Sequence, residues 1–375
     1  MIQETPRLLH VFSTLDPGGP QVRFADTVNA LGDEFKHLVI AMDGRYGVLA
    51  RIRPGLSVEE LAFPSRHTPT APFVFRSFLR RLRPDLLLSY NWGAIEAVLG
   101  GILAGVCPVI HTEDGFGPDE AVRLKTRRVA ARGVLLNLIH RTVVPSRTLL
   151  RIASDRYLIR PGKVQLIVNG IDTARFQPGP GEEVRRRFGI GSHELVFLYV
   201  GHLRREKNLP LMVRAFLEAR PANSKLILVG DGACRAELES IVKERDSAGR
   251  VILAGAASDP LPFYRAAGVF LLSSTTEQMP LALLEAMACG LPALCTNVGD
   301  IAEMLDTAGS PELVASDDLI AYVAALGTLA GDPQLRARLG RKNRDRCLAL
   351  YSQDKMISRY GDLYRGALRT KSSTP

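Results

Sequence analysis

The chain reads as an α/β protein of two parallel-sheet domains, and three features of the sequence predict this. Its 375 residues exceed the ~150 of a typical single domain. Short apolar runs alternate with longer amphipathic stretches in both halves, the pattern of strands covered on both faces by helices. A Pro/Gly cluster, Gln177-Pro-Gly-Pro-Gly-Glu-Glu, interrupts the alternation near the middle and marks a linker. In the first half, residues 8–13, 38–42, 86–90, 108–111, 142–144 and 164–168 read as buried strands, with helices such as 21–31 and 73–83 between them. In the second half, residues 194–201, 224–229, 251–254, 269–272 and 291–295 read as strands, and 209–220, 235–245 and 281–289 as helices. The domains are therefore expected at 1–178 and 179–355. Open parallel sheets bind ligands at the carboxyl ends of their strands, so a ligand of both domains is expected in the cleft between them.

Composition narrows the class. With 46% apolar and 23% charged residues the chain is an ordinary globular protein, neither disordered nor fibrous. The five cysteines (107, 234, 289, 295 and 347) lack metal-type pairing, which argues against zinc and disulfides and fits a reducing cytoplasm. The first residues show no basic-then-apolar signal region, and the longest apolar stretch, 94–110, is too short and mixed to span a bilayer. Charge is uneven. Residues 1–180 hold 23 basic and 16 acidic side chains, and most of the excess lies in 121–163, with eleven Lys/Arg against the single acid Asp155. Val122, Leu124, Val129, Val134, Leu135 and Leu138 are interleaved there with Arg123, Lys125, Arg127, Arg128 and Arg132. This composition suits a helix at an anionic membrane surface, against the alternative of a solvated arginine face over a core. Nucleic acid is not expected: aromatics are 6% and no zinc-finger spacing or RNP-type motif is present.

The most specific chemical signal is Thr276-Glu-Gln-Met-Pro-Leu-Ala-Leu-Leu-Glu-Ala-Met-Ala-Cys-Gly-Leu-Pro292. A strand ends in Ser273-Ser274, a loop carries Glu277, Pro280 stands where a helix begins, and Gly290 closes that helix. The amides of Met279 and Leu281 at its N-terminus attract a phosphate. Carboxylates accept from vicinal hydroxyls, so Glu277 and Glu285 suit sugar rings. Solvated acids are the plain alternative, but Glu285 is flanked by Leu284, Ala286 and Met287 in a mostly apolar helix. A second signal is Val200-Gly-His-Leu-Arg-Arg-Glu-Lys-Asn208, where Gly201 permits close backbone approach and Arg204, Arg205 and Lys207 supply cations for a diphosphate. His111 is expected at the carboxyl end of a first-domain strand, facing the cleft, although a lone histidine is more often structural. The glycine loop Gly18-Gly19 follows the first strand. Val229-Gly-Asp-Gly-Ala-Cys-Arg235 begins like a dinucleotide fingerprint but has Arg235 where the third glycine belongs, which disfavours an oxidoreductase.

These segments resemble the retaining GT-B glycosyltransferases of family 4, the glycosyl transferases group 1, of the bacterial polysaccharide-assembly type. The resemblance runs along nearly the whole chain: Gly18-Gly19, Arg83-Pro-Asp85, His111, Asn169-Gly-Ile-Asp172, Gly201 to Lys207, Gly230-Asp-Gly232, the Glu277-x7-Glu285 pair with its EAMACGLP segment, Val298-Gly299, and a last helix with Met356, Tyr360 and Leu363-Tyr364. It implies two Rossmann-like domains, with residues 356–375 forming a helix that crosses back to the first. It implies a hexosyltransferase-type enzyme that moves a sugar from a UDP-, GDP- or ADP-sugar to a lipid-linked or glycan acceptor. Glu285 would hold the ribose. Lys207 with Arg204 or Arg205 would neutralise the diphosphate, together with Gly201 and the Met279, Pro280 and Leu281 turn. Glu277 and His111 would contact the transferring sugar, and Gly18-Gly19 would let the backbone approach it. No metal or other cofactor is expected, since these cations and the helix dipole stabilise the leaving group. Two positions depart from the family: His202 stands where arginine is usual, and Gln278 where glycine is common. The rival readings are a nucleotide-sugar epimerase or sugar phosphorylase on the same fold, and a non-catalytic scaffold. The chain is expected to be cytoplasmic and peripheral to the inner membrane face.

Overall fold

The computed structural model describes residues 4–63, 68–116, 120, 123–306 and 312–372. The chain forms two compact units, Met1–Asn169 with Asp354–Pro375, and Gly170–Gln353.

Unit 1 runs β1 (Arg7–Phe12), α1 (Gly19–Leu31), β2 (Lys36–Ala41), β3 (Val58–Glu60), α2 (Ala71–Leu82), β4 (Leu86–Tyr90), α3 (Ile95–Ala104), β5 (Val109–Thr112), α4 (Thr126–Leu138), β6 (Arg141–Val144), α5 (Arg147–Asp155) and β7 (Val164–Leu166). The strands form one parallel sheet in the order β3-β2-β1-β4-β5-β6-β7. Strand residues alternate between its two faces. Leu8 and Phe12 join Phe24 and Val28 of α1, whereas Leu9 and Val11 join Phe75 and Leu79 of α2 and Val98 of α3. Both faces are thus apolar, which explains why β1 reads as a continuous hydrophobic run.

Unit 2 runs α6 (Glu182–Arg187), β8 (Leu195–Val200), α7 (Leu209–Ala219), β9 (Ser224–Val229), α8 (Arg235–Arg245), β10 (Val251–Gly255), α9 (Leu261–Ala266), β11 (Val269–Leu272), α10 (Leu281–Ala288), β12 (Ala293–Thr296), α11 (Ile301–Leu305), β13 (Leu313–Val314), α12 (Leu319–Gly331) and α13 (Pro333–Leu350). Its parallel sheet has the order β10-β9-β8-β11-β12-β13. The last helix, α14 (Gln353–Ser372), places Met356, Ile357, Tyr360, Leu363 and Tyr364 in the unit 1 core beside Leu8 and Phe12. Its Arg365 grips Glu34 through Nε at 2.6 Å and Nη2 at 2.9 Å.

The passage between units lies at Asn169/Gly170, not at the Pro/Gly cluster near residue 178. That cluster belongs to unit 2 because it packs there: Arg265 donates to the Gln177 carbonyl, and a Cβ on Gly181 would strike the Ala266 backbone. The edge strands β3 and β13 escape sequence reading because three and two residues carry no usable pattern.

Candidate active site

The loops leaving the carboxyl ends of four unit 2 strands are stitched to one another. After β8, the Leu203 amide donates to the Asp231 carbonyl in the loop after β9, and the Leu203 carbonyl accepts from the Cys234 amide. Gly230, at φ +143, lies so close to Gly201 that a Cβ would collide with its carbonyl oxygen. The Ser273 hydroxyl donates to the Lys207 and Asn208 carbonyls, at 2.8 and 3.0 Å, and the Thr275 amide reaches the Glu206 carbonyl. At the end of β12 the Thr296 hydroxyl donates to the Ser274 carbonyl, and from the loop after it the Asp300 amide donates to the Gln278 carbonyl. Gly299, at φ +59, sits against the Glu277 carbonyl where no side chain fits.

Charged side chains converge on this frame. The Lys207 ammonium lies 2.5 Å from Glu277 Oε1, which also accepts from the Ser274 hydroxyl at 2.7 Å. Glu285 stands on α10, and its Oε2 accepts from the Tyr264 hydroxyl of α9 at 2.6 Å. Burial and the Glu285 charge push the Tyr264 phenol well above its ordinary range, so it remains a donor. Pro280 flanks the helix, whose first residue is Leu281, while the Met279 side chain is buried. Arg204 and Arg205 are exposed on the loop after β8, and the neighbouring His202 is exposed with its carbonyl held by the Tyr199 hydroxyl at 2.9 Å. Lys207, Ser274 and Glu277 thus form one cluster, with Glu285 and Tyr264 paired on α10 and α9. Neither Ser274 nor Tyr264 reads as a site residue from the sequence. The serine is visible in sequence only as a strand end, and the tyrosine is 21 positions from its partner.

In unit 1, Gly18 precedes α1 with an ordinary extended φ of −164° and Gly19 opens the helix. His111 is the third residue of β5, and its side chain is buried. Its Nδ1 lies 2.8 Å from Ser89 Oγ on β4, and its Nε2 lies 3.7 Å from Glu113. The strand end itself presents Asp114, gripped by Arg23 of α1 through two contacts at 2.5 and 2.8 Å; Arg23 also donates to Asn169 Oδ1 at 2.9 Å.

The basic stretch divides similarly. Arg132 of α4 is fully buried, donating to Glu113 Oε2 at 2.8 Å and to Glu120 Oε2 at 3.2 Å, and Arg128 donates to Glu120 at 2.9 Å. Burial would raise the Glu113 carboxyl, but His111 and Arg132 hold it below the usual carboxylate range. Leu124, Val129 and Leu135 pack on the core, whereas Val134 (62%) and Leu138 (60%) are exposed one turn apart. Asn137, between them, donates to the carbonyl of Leu158, itself 74% exposed. Arg127, Arg156 and Arg160 are exposed in the same region of the chain; Val122 lies outside the described residues. Among the described residues no helix is long and apolar enough to cross a membrane.

Two family profiles match the chain, Glycosyltransferase Family 4 over residues 17–175 and Glycosyl transferases group 1 over residues 181–346. A D-inositol 3-phosphate glycosyltransferase of Acidothermus cellulolyticus is 33% identical over 78% of this chain and 72% of its own. An Escherichia coli galactosyltransferase named for a diphosphoundecaprenol-linked N-acetylglucosamine acceptor is 27% identical over 76% of each chain. An N-acetyl-alpha-D-glucosaminyl L-malate synthase of Bacillus anthracis is 28% identical, with the match spanning 56% of each chain. Among solved structures, the Anabaena protein HepE in complex with UDP superposes with a TM-score of 0.81 at 17% identity, covering 96% of this chain and all of the other.

Proposed function

The chain belongs to the group 1 glycosyltransferases of family 4, enzymes of sugar transfer, and we propose that it is a retaining transferase whose unit 2 binds a nucleotide-sugar at the carboxyl edge of β8, β9, β11 and β12. The observation that carries this reading is the meeting of Lys207 and Ser274 on Glu277 Oε1, at 2.5 and 2.7 Å, on loops bonded together. Glu285 holds the ribose hydroxyls. The diphosphate carries more negative charge than the carboxylate that Lys207 grips, so it competes for the ammonium, while Ser274 keeps Glu277 in place for the sugar hydroxyls. Arg204 or Arg205 and the first amides of α10 share the leaving-group charge, the part a metal ion plays elsewhere. Such groups act in the transition state, as the sugar becomes oxocarbenium-like and negative charge builds on the diphosphate.

Unit 1 takes the acceptor. We read that acceptor as lipid-linked and the enzyme as peripheral to an anionic membrane, on the strength of Val134, Leu138 and Leu158 beside exposed arginines and of the undecaprenol-linked acceptor in the name of the Escherichia coli relative. The test is a panel of UDP-, GDP- and ADP-sugars. The matching donor raises thermal stability by RT ln(1 + [L]/Kd), about 2.7 kcal/mol at a hundredfold excess over Kd. Turnover with it yields a new glycoside of unchanged anomeric configuration and free nucleoside diphosphate. Glu285→Ala, folded, loses the protection; equal protection of this variant overturns the ribose assignment, and an inverted product overturns retention.

A further inference from the structure

We infer that Tyr264 is a positioning residue for Glu285, fixing the orientation in which that carboxylate meets the donor's vicinal hydroxyls. The inference rests on Glu285 being the ribose partner. Tyr264 comes from α9, outside the motif that carries both acids, yet its hydroxyl reaches Glu285 Oε2 at 2.6 Å, in the short range of charge-assisted O–H···O bonds. The same hydroxyl lies 3.2 Å from the Ala282 carbonyl, one turn before Glu285 on α10, so it registers the side chain against its own helix.

The ring is itself immobile. It is fully buried, with Phe176 at 6.1 Å edge-on and Phe270 at 6.0 Å. A phenylalanine would fill that space equally well, and a buried hydroxyl without a partner is costly. The hydroxyl is therefore accounted for by what it bonds, and the shorter of its two contacts is to Glu285. Holding a glutamate rotamer before the ligand arrives removes part of the ordering cost of binding.

The experiment compares Tyr264→Phe with Glu285→Gln by titration with UDP, GDP and ADP, using whichever binds the wild type, and by donor kinetics. Expected for Tyr264→Phe is a roughly tenfold loss of nucleoside diphosphate affinity, the factor expected for one hydrogen bond to a charged group. The donor KM rises by more than kcat falls. A purely structural tyrosine moves none of these in a variant with an unchanged melting temperature, and that result overturns the inference while Glu285→Gln still binds poorly. Wild-type affinity in Glu285→Gln overturns the ribose reading itself and this inference with it. Should Tyr264→Phe fail to fold, 3-fluorotyrosine at position 264 keeps the shape and donates more strongly. It is expected to change nucleoside diphosphate affinity and the donor KM, and unchanged values refute the proposal.

Discussion

Arg132 offers a sharp test of how unit 1 is held together. Its guanidinium, on α4, is completely buried between Glu113 and Glu120, both themselves buried. It also stands over the Trp92 ring at 4.7 Å and the Tyr157 ring at 5.3 Å. Replacing it with methionine keeps most of the volume but leaves Glu113 without its guanidinium; Glu120 retains Arg128. Removing one partner of a buried pair costs about 3–5 kcal/mol, chiefly because the remaining charge is stranded. Trp92 is the only tryptophan of the chain, so its fluorescence reports unfolding at the cluster itself. With a urea m-value of about 2–3 kcal/mol/M, the midpoint is expected to fall by roughly 1–2 M. The deficit also depends on pH. Arg132 helps to hold the Glu113 carboxyl below its ordinary range, so without it burial raises that group. The folded state then binds the extra proton, and stability falls as pH rises, so the variant's deficit is larger at pH 8 than at pH 5. Adding Glu113→Gln to Arg132→Met removes the stranded charge and recovers most of the loss. A midpoint shift below about 0.3 M in Arg132→Met refutes the argument, because it means the two carboxylates reach solvent or other cations at little cost.

Glu277→Gln is expected to reduce kcat by about a hundredfold, a loss of ~2.7 kcal/mol in the transition state, while nucleoside diphosphate affinity changes little; an equal loss in both would place Glu277 on the nucleotide. Burial moves His37 down to about 4 and His10 well below its usual value, aided by the His37 charge, so unit 1 folds with both rings neutral. The unfolded chain then binds the extra protons, and stability falls as pH drops from about 6.5 to about 4, by roughly 3 kcal/mol for His37 alone; His37→Gln should flatten that part of the urea-midpoint profile, and an unaltered profile counts against it. Val134→Asp with Leu138→Asp should abolish co-sedimentation with anionic vesicles. Wild-type binding should itself fade toward ~0.5 M salt, where the Debye length is only a few Å, and equal binding to neutral vesicles would remove the electrostatic part of the reading.

What sequence could and could not disclose follows from the range of the interactions concerned. Strands such as β1 and β11 are legible because burial on both faces imposes a local composition. The Glu277 to Glu285 segment is legible because loop, helix start and helix lie consecutively. His111 is different. Its strand is easy to see, but whether the ring is open or enclosed depends on Ser89, 22 positions earlier on β4, and on Glu113 two positions later. Tyr264 reads as a core aromatic and is one; only the position of its hydroxyl relative to Glu285 gives it a second role.

The arginines of residues 121–163 show the same limit in charge. Counting gives eleven cations and one acid, but Glu113 and Glu120 lie just before the counted window and claim Arg132 and Arg128. Neither of those arginines is left for a headgroup, because a buried guanidinium that leaves its carboxylates strands their charge. On the proposed membrane reading, the face left for a headgroup is displaced toward the end of α4, where Val134 and Leu138 are exposed and Asn137 ties in the backbone at Leu158. Arg123, Arg127, Arg147, Arg151, Arg156 and Arg160 are exposed in the same stretch of the chain. At roughly 1 kcal/mol for each cation near an anionic leaflet, the few that reach it would give weak, reversible attachment unless the apolar side chains insert as well. Substituting Val134 and Leu138 should consequently weaken vesicle binding more than substituting Arg128, although Arg128 lies in the most basic part of the sequence.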